Sequence, residues 1–248
     1  MFLNDTPASQ SDTAYADLRE AILVGRLAPD SLWSDRELGA RMGYGRTPIR
    51  EALLRLQTEG LVQILARKGT RILPLLKKDV QDIHQLTKAL ELEAALTVAK
   101  RDDRVELLAP VLQAVERMES AIAVEDRERW VVADTDFHFG VVDICGNPRL
   151  IGLYHAQRGL TDRARFFALW LRELPVRSTQ EHREMYDRLV AADAPRLEAL
   201  YRNHWERTTN ELLALIERQE RGRGALGASV PGAPPKGGER EISREDTR

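Results

Sequence analysis

Residues 45–62, "GRTPIREALLRLQTEGLV", constrain the fold more strongly than any other stretch of this chain. A helix through this segment places Ile49, Leu53 and Leu56 together on one face. Arg46 and Arg50, four residues apart, then project from another side of the same helix. A proline at position 48 is compatible with this helix because it falls in the first turn. The segment therefore predicts an amphipathic helix that offers two arginines to a regularly spaced negative partner.

The flanking residues predict the rest of a small domain. "SDRE", residues 34–37, is a capping-box pattern that starts a short helix, and "GYG" at 43–45 gives the tight turn of a helix-turn-helix. An earlier helix is expected over about 11–25, with Leu18 and Ile22 buried. "LVQIL" and "TRILPL" predict a hairpin with Arg67 and Lys68 at its tip. Residues 11–75 are thus expected to form a winged helix-turn-helix, preceded by a flexible terminus over 1–10.

Charge is distributed unevenly along the chain. Residues 36–71 contain eight Lys or Arg and three Asp or Glu, a net charge of +5, which leaves −7 on the remainder of a chain with net charge −2. A solvated helix face could explain Arg41, Arg46, Arg50 and Arg55. The alternative is nucleic-acid binding, because an α-helix fits the major groove of B-DNA and arginine can bond guanine there. The order of helix, turn, basic helix and basic hairpin favours the second interpretation.

Beyond a short polar junction, the chain predicts helices only. Apolar residues recur at helical spacing from residue 79 to about 219, with helix starts near residues 104, 126, 147, 175 and 193. Six helices in this range predict an all-α bundle, so the fold class is mostly α. Residues 220–248 are rich in glycine, proline and charge, which predicts a disordered tail.

Four residues of this helical region have the spacing of a metal site. Asp134 and His138 lie one helical turn apart, and His182 and His204 belong to two later helices. One carboxylate and three imidazoles suit Zn²⁺ or another borderline divalent ion. The alternative is that these are core histidines, the later two capping helices or pairing with neighbouring glutamates. A zinc ion with open positions could also serve a hydrolase.

The N-terminal part of the chain resembles a known family. "LREAILVGRLAPDSLWSDRELGARMGYGRTPIREALLRLQTEGLVQILARKGTRI" is similar to the DNA-binding domain of the GntR family of bacterial transcription regulators. The resemblance implies that the DNA contacts fall on Arg36, Arg46, Thr47, Arg50, Lys68 and Gly69. One departure is Gly45, where the family usually has a Ser or Thr that caps the helix and binds phosphate.

The helical region resembles the FCD ligand-binding domain of the FadR subfamily. The similarity rests on Asp134-x-x-Phe137-His138, on "GNP" at 146–148, on Glu181-His182 and on His204. It implies that Asp134, His138, His182 and His204 hold a divalent metal, for which Zn²⁺ is the first choice and Ni²⁺ or Mn²⁺ are alternatives. It also implies that a small carboxylate effector completes the coordination of that metal.

The expected effector site departs from the family pattern. The family commonly has an arginine where this chain has Thr87, beside Lys88 in "LTKALE". Lys88 could replace that arginine as a point charge, without its bidentate geometry. Arg163 and Arg165 in "TDRARFF" are alternative partners for the anion, although a solvated face would explain them as well.

These features predict a metabolite-responsive transcription factor and not an enzyme. We expect a repressor that binds a palindromic operator in double-stranded DNA as a homodimer. A single cysteine, Cys145, and the lack of a signal peptide or an apolar run of membrane-spanning length indicate a cytoplasmic protein without membrane contact. The competing interpretations are a metal-dependent hydrolase and a constitutive DNA-binding protein without an effector.

Overall fold

The computed structural model describes residues 9–171 and 173–225, which form a winged helix-turn-helix followed by a helical bundle. This confirms the predicted fold class. The first part consists of α1 (Gln10–Leu23), β1 (Leu32–Trp33), α2 (Asp35–Met42), α3 (Arg46–Thr58), β2 (Val62–Leu65) and β3 (Gly69–Ile72). The second part consists of α4 (Lys77–Ala99), α5 (Arg104–Leu107), α6 (Ala109–Ala123), α7 (Arg127–Asp143), α8 (Pro148–His155), α9 (Arg158–Leu171), α10 (Val176–Ala191) and α11 (Ala194–Ala225).

Local capping positions the two helices of the helix-turn-helix. Ser34 and Glu37 form the predicted capping box: the Ser34 hydroxyl accepts the Glu37 amide at 3.2 Å, and the Glu37 carboxylate accepts the Ser34 amide at 2.7 Å. Gly43 ends α2 with φ +79°, in the left-handed region that glycine adopts easily. Helix α3 begins after Gly45, and no side chain caps it.

The wing contains one strand more than the sequence predicts. The sheet order is β1-β3-β2, and both pairings are antiparallel. The additional strand is β1, in which Leu32 and Trp33 pair with Arg71 and Thr70 of β3. A strand of two residues is too short to show an alternating pattern, so periodicity could not reveal it.

The helical part has eight helices in the described chain, where six were expected. The segment that starts at Arg104 is broken at Leu108, which ends α5 and precedes α6. Pro110, within the first turn of α6, cannot donate the amide hydrogen bond that a continuous helix would need. The segment that starts after Asn147 bends at residues 156–157 and continues as α9. No proline marks this second break.

Both ends of the described chain are more ordered than predicted. Helix α1 starts at Gln10, because Ser9 and Asp12 form a capping box just inside the terminus expected to be flexible. Helix α11 continues through residues 220–225, where the tail was expected to begin. Ile216 is buried, and Lys77 of α4 makes ion pairs with Glu217 and Glu220 of α11 at 3.5 and 3.0 Å. The remainder of the predicted terminus and tail, 1–8 and 226–248, lies outside the described residues.

Helix α9 joins the two parts of the molecule. Asp162 accepts a hydrogen bond from Arg19 of α1 at 2.6 Å, and Arg19 also bonds Glu59 at 2.9 Å, after the end of α3. A Cβ at Gly159 would lie 2.6 Å from the Glu59 carbonyl oxygen. Glycine at 159 thus permits α9 to approach the end of α3 closely.

Candidate DNA-binding surface and metal centre

The basic face of α3 points away from the domain core. Ile49, Leu53 and Leu56 are buried as predicted, whereas Arg46, Thr47 and Arg50 are exposed. Arg50 makes an ion pair with Asp35 at 3.3 Å, but its side chain remains 59% exposed. Such an exposed pair contributes little to stability, so Arg50 can exchange Asp35 for another anion.

Several of the expected DNA contacts border one concave surface between α2, α3 and the wing. Arg36, Arg46, Arg50 and Gly69 line it, together with Arg67 at the hairpin tip. Thr47 and Lys68 are exposed close by in sequence but are not part of its lining. The structure therefore gathers the guanidinium groups of both helices and of the wing around a groove that is open to solvent.

Two arginines of the basic stretch have structural partners instead. Arg41 lies 5.3 Å from the centre of the Trp33 ring, and Arg55 pairs with Asp12 at 2.8 Å and stacks over Tyr15 at 3.8 Å. The interpretation as a structural or solvated face thus describes Arg41 and Arg55, whereas Arg46 and Arg50 line the groove.

Gly69 is required by the geometry of the wing. Its φ is +98°, and a Cβ at this position would lie 2.4 Å from the carbonyl oxygen of Trp33. Any other residue would push β1 away from β3. Gly69 therefore acts on the groove through the shape of the hairpin that carries Arg67.

Three histidines converge inside the helical bundle. His138 of α7, His182 of α10 and His204 of α11 are buried, and a ring nitrogen from each lies within 4.8 Å of the others. Asp134 joins them: its Oδ1 is 3.8 Å from His138 Nε2 and 3.7 Å from His182 Nδ1. The four residues predicted from spacing are thus brought together, in a donor set that fits a divalent metal of the zinc type.

Two glutamates hold the histidine rings in a defined orientation. Glu91 of α4 accepts His138 Nδ1 at 2.9 Å, and Glu181 of α10 accepts His204 Nδ1 at 2.7 Å. When Nδ1 of each ring carries the proton, the lone pair of Nε2 is free to bind a metal. This arrangement is common around metal-binding histidines. The predicted alternative, pairing of a histidine with Glu181, is therefore present, and it is compatible with metal binding.

These contacts change the ionisation of the groups around the cluster. Burial alone would raise the pKa of Glu181, but hydrogen bonds from His204 and Arg207 outweigh it and lower the pKa to about 2. Burial lowers the pKa of His204, and its bond to Glu181 only partly opposes this effect. His204 is consequently a neutral imidazole at neutral pH, the form that binds a metal.

A cavity of about 50 Å³ lies beside the cluster. Among the residues expected to bind an effector, Arg165 lines it, and its Nε donates to Asp134 Oδ2 at 3.1 Å. Thr87 is buried and Lys88 half-buried on α4, and neither lines the cavity. Burial lowers the pKa of Arg163 to about 10, and the charges of Asp79 and Asp30 only partly oppose this effect.

Sequence reasoning did not identify several residues that build this site. Glu91 is fully buried and also accepts hydrogen bonds from Trp205 at 2.9 Å and from the Tyr154 hydroxyl. His84 contacts Trp205 and also lines the cavity. The only available signal was the position of Glu91 four residues after Thr87, on the same face of α4.

Comparisons with known proteins identify both parts of the chain. The gntR family of bacterial regulatory proteins matches residues 10–72, and the FCD domain matches residues 82–207. A transcriptional regulator from an unstable DNA locus of Streptomyces ambofaciens is 32% identical over 77% of this chain and 79% of its own length. The transcriptional repressor GlaR of Escherichia coli is 28% identical over 77% of this chain and 90% of its own length.

A solved structure supports the same fold. A GntR regulator from Rhodococcus superposes with a TM-score of 0.68 at 22% identity, over 84% of this chain and 99% of that one. These matches are transcriptional regulators, as predicted, and not enzymes. Within the described residues, no helix is both long and apolar enough to cross a bilayer. The chain belongs to the GntR family of bacterial regulatory proteins and carries an FCD domain behind its DNA-binding domain.

Proposed function

We propose that this protein is a cytoplasmic, ligand-responsive repressor that binds a palindromic operator as a homodimer. The observation that carries the proposal is that one chain combines an exposed arginine-lined groove with a cavity beside three buried histidines. Two-fold symmetry would present two copies of α3 to successive turns of the DNA.

For DNA recognition, we propose that α3 enters the major groove. Arg46 and Arg50 would contact base edges and Thr47 a phosphate. Arg36 and the wing residues Arg67 and Lys68 would contact the phosphate backbone, with Gly69 shaping the tip. This division follows from the arrangement around the groove, since the helix carries two of the lining guanidinium groups and the flanking elements carry the others.

For the helical domain, we propose that Asp134, His138, His182 and His204 bind one divalent metal. Zn²⁺ is the preferred ion because imidazole predominates among the donors, and Ni²⁺ and Mn²⁺ are alternatives. When bound, the metal supplies a positive charge that attracts a carboxylate. The protein's own contribution is to orient the rings through Glu91 and Glu181.

We propose that a small carboxylate effector enters the cavity next to Arg165. Nη1 and Nη2 of Arg165 are buried and make only long ion-pair contacts, to Asp162 at 3.8 Å and Glu91 at 3.9 Å, so they can donate to an acceptor that comes closer. We restrict the effector site to Arg165 among the four residues first expected, since Thr87, Lys88 and Arg163 do not line the cavity.

Helix α9 connects this cavity to the DNA-binding domain. Arg165 borders the cavity, and Asp162, one turn earlier, bonds Arg19 of the DNA-binding domain. A ligand that shifts α9 would change how the DNA-binding domain rests on the bundle. It can shift the population only as far as it binds one arrangement better than the other, typically by 1–3 kcal/mol.

The proposal is tested by measuring operator affinity for paired arginine variants. Arg50→Ala should reduce binding to the protein's own upstream DNA by at least about tenfold, since one bidentate base contact contributes 1–3 kcal/mol. Arg55→Ala, on the same helix but paired with Asp12, should change the affinity much less. Equal losses in the two variants would contradict the assignment of the groove. If the operator affinity changed neither on removal of the metal nor on addition of any acid tested, the protein would be a constitutive DNA-binding protein.

A further inference from the structure

The cavity beside the histidines has both polar and apolar walls. Asp134, His138, His204 and Arg165 provide groups that can bind a metal or an anion. Ala164, Ala168 and Leu212 also line it, and these three pack in one apolar cluster with Val80 and Ile216. The neutral hydroxyl groups of Thr161, Ser178 and Thr208 are also part of the lining. A ligand that fits these walls has an anionic head and an apolar remainder.

The buried charges around the cavity do not balance. Among the described residues that line it, Arg165 is the one Lys or Arg side chain. It faces Asp134 at 3.1 Å and Glu91 at 3.9 Å, and all three side chains are at least nine-tenths buried. Asp162 lies 3.8 Å away as well, but Arg19 and Arg158 compensate its charge. Two carboxylates and one guanidinium give a net charge of −1. Since burial of an uncompensated charge is costly, this set is suited to a cation, and a divalent ion would change the net charge to +1.

The neighbouring ionisable groups leave this balance unchanged. Asp162 is paired with Arg19 at 2.6 Å, and Glu181 forms an ion pair with Arg207. With the metal present, the site therefore requires one negative charge and not two.

We propose that the ligand of this cavity is a short monocarboxylate with an apolar substituent, and that the cavity selects against di- and tricarboxylates. This inference rests on the proposed metal site. One carboxylate neutralises the site. A second would meet only neutral hydroxyl groups or the apolar wall, because the described lining contains no Lys or Arg other than Arg165. The volume of about 50 Å³ limits the substituent to a few non-hydrogen atoms, because one water already needs roughly 10–15 Å³ on this measure.

The experiment compares acids of equal carbon number on the zinc-loaded full chain. Isothermal titration calorimetry at pH 7 would measure butyrate against succinate, and propionate against malonate. We expect each monocarboxylate to bind at least about tenfold more tightly than its dicarboxylate partner. If succinate bound as tightly as butyrate, or if no acid bound, the inference would be wrong. Zinc retained by the protein in that experiment would still support the proposed metal site. Absence of bound zinc overturns the proposed function as well.

A variant tests the apolar wall separately. Ala168→Leu adds bulk beside Leu212 and should weaken butyrate binding by about tenfold or more, while acetate binding changes less than about threefold. Bound zinc and the circular dichroism spectrum should stay unchanged. Ala164→Val is a smaller change on the same helix for the case in which Ala168→Leu does not fold. Equal losses for acetate and butyrate would show that this wall does not contact the substituent.

Discussion

Arginine side chains occupy opposite environments in the two parts of this molecule. Arg50 of the DNA-binding domain is 59% exposed and has one ion pair at 3.3 Å. Arg165 of the helical domain is 10% exposed and lies within 3.9 Å of three carboxylates, those of Glu91, Asp134 and Asp162. The exposed arginine keeps its hydration and remains available to a partner that arrives from solution. The buried one is a fixed part of a charge network, and its removal has consequences for the fold.

The comparison is tested most strongly by removing a candidate ligand from the buried cluster. His182→Ala should lower zinc affinity by more than about 100-fold, since even changes outside the first coordination sphere cost 10–100-fold. Metal analysis after gel filtration measures this. Operator binding in the absence of effector should persist, because α2, α3 and the wing form the groove whereas α7, α10 and α11 carry the cluster. His155→Ala, which removes an exposed histidine bonded to Asp143, is the matched control. Full zinc content in His182→Ala would refute the ligand set.

The second test compares the two arginines directly. Arg165→Ala should destabilise the metal-free protein by about 3–5 kcal/mol, because it leaves buried Asp134 and Glu91 without their counter-charge. Arg50→Ala should change the free energy of unfolding by less than about 0.5 kcal/mol. Chemical denaturation measures both values. A loss below 1 kcal/mol for Arg165→Ala would mean that burial does not distinguish the two environments as described.

The smallest expected effect concerns the contact between the domains. Asp162→Asn weakens the bond to Arg19 and should bring the ratio of operator affinities with and without effector closer to one, within a coupling that is typically 5–150-fold. Asp136→Asn, which weakens an exposed pair with Arg117, serves as the control. The measurement is a DNA titration at saturating and at zero acid. An unchanged ratio would exclude this ion pair from the route between cavity and DNA.

The DNA-binding domain could be predicted almost completely from sequence because its signals are local. The capping box at Ser34 and Glu37, the Gly43 turn and the arginine spacing each involve residues within one or two helical turns. The strand β1 was missed because two residues show no periodicity. The helical domain was predicted less completely. No proline marks the break between α8 and α9 at residues 156–157, so the sequence did not predict that a second helix starts there.

The four candidate metal ligands were proposed from their residue types and spacing together with the resemblance to the FCD domain, and their role stays a prediction. Of the two groups that orient them, Glu181 was anticipated as a histidine partner, because it is adjacent to His182 in sequence. Glu91 could not be anticipated, since it lies 47 residues from His138 and 114 from Trp205, which it also contacts. A glutamate at helical spacing on α4 gives no sign that it is buried. The effector residues were ambiguous for the same reason, because only the fold decides which of Arg163 and Arg165 lines the cavity.

The missing cap on α3 has a consequence for DNA binding. Gly45 has no side chain to accept the first amides of the helix, and Pro48 in the first turn has no amide of its own. The amides of Arg46 and Thr47 are therefore the donors of that turn, at the positive end of the helix dipole. A backbone phosphate in that position would act as the cap that the protein lacks. The amides in the first turn of α3 would then obtain their hydrogen-bond acceptor from the DNA.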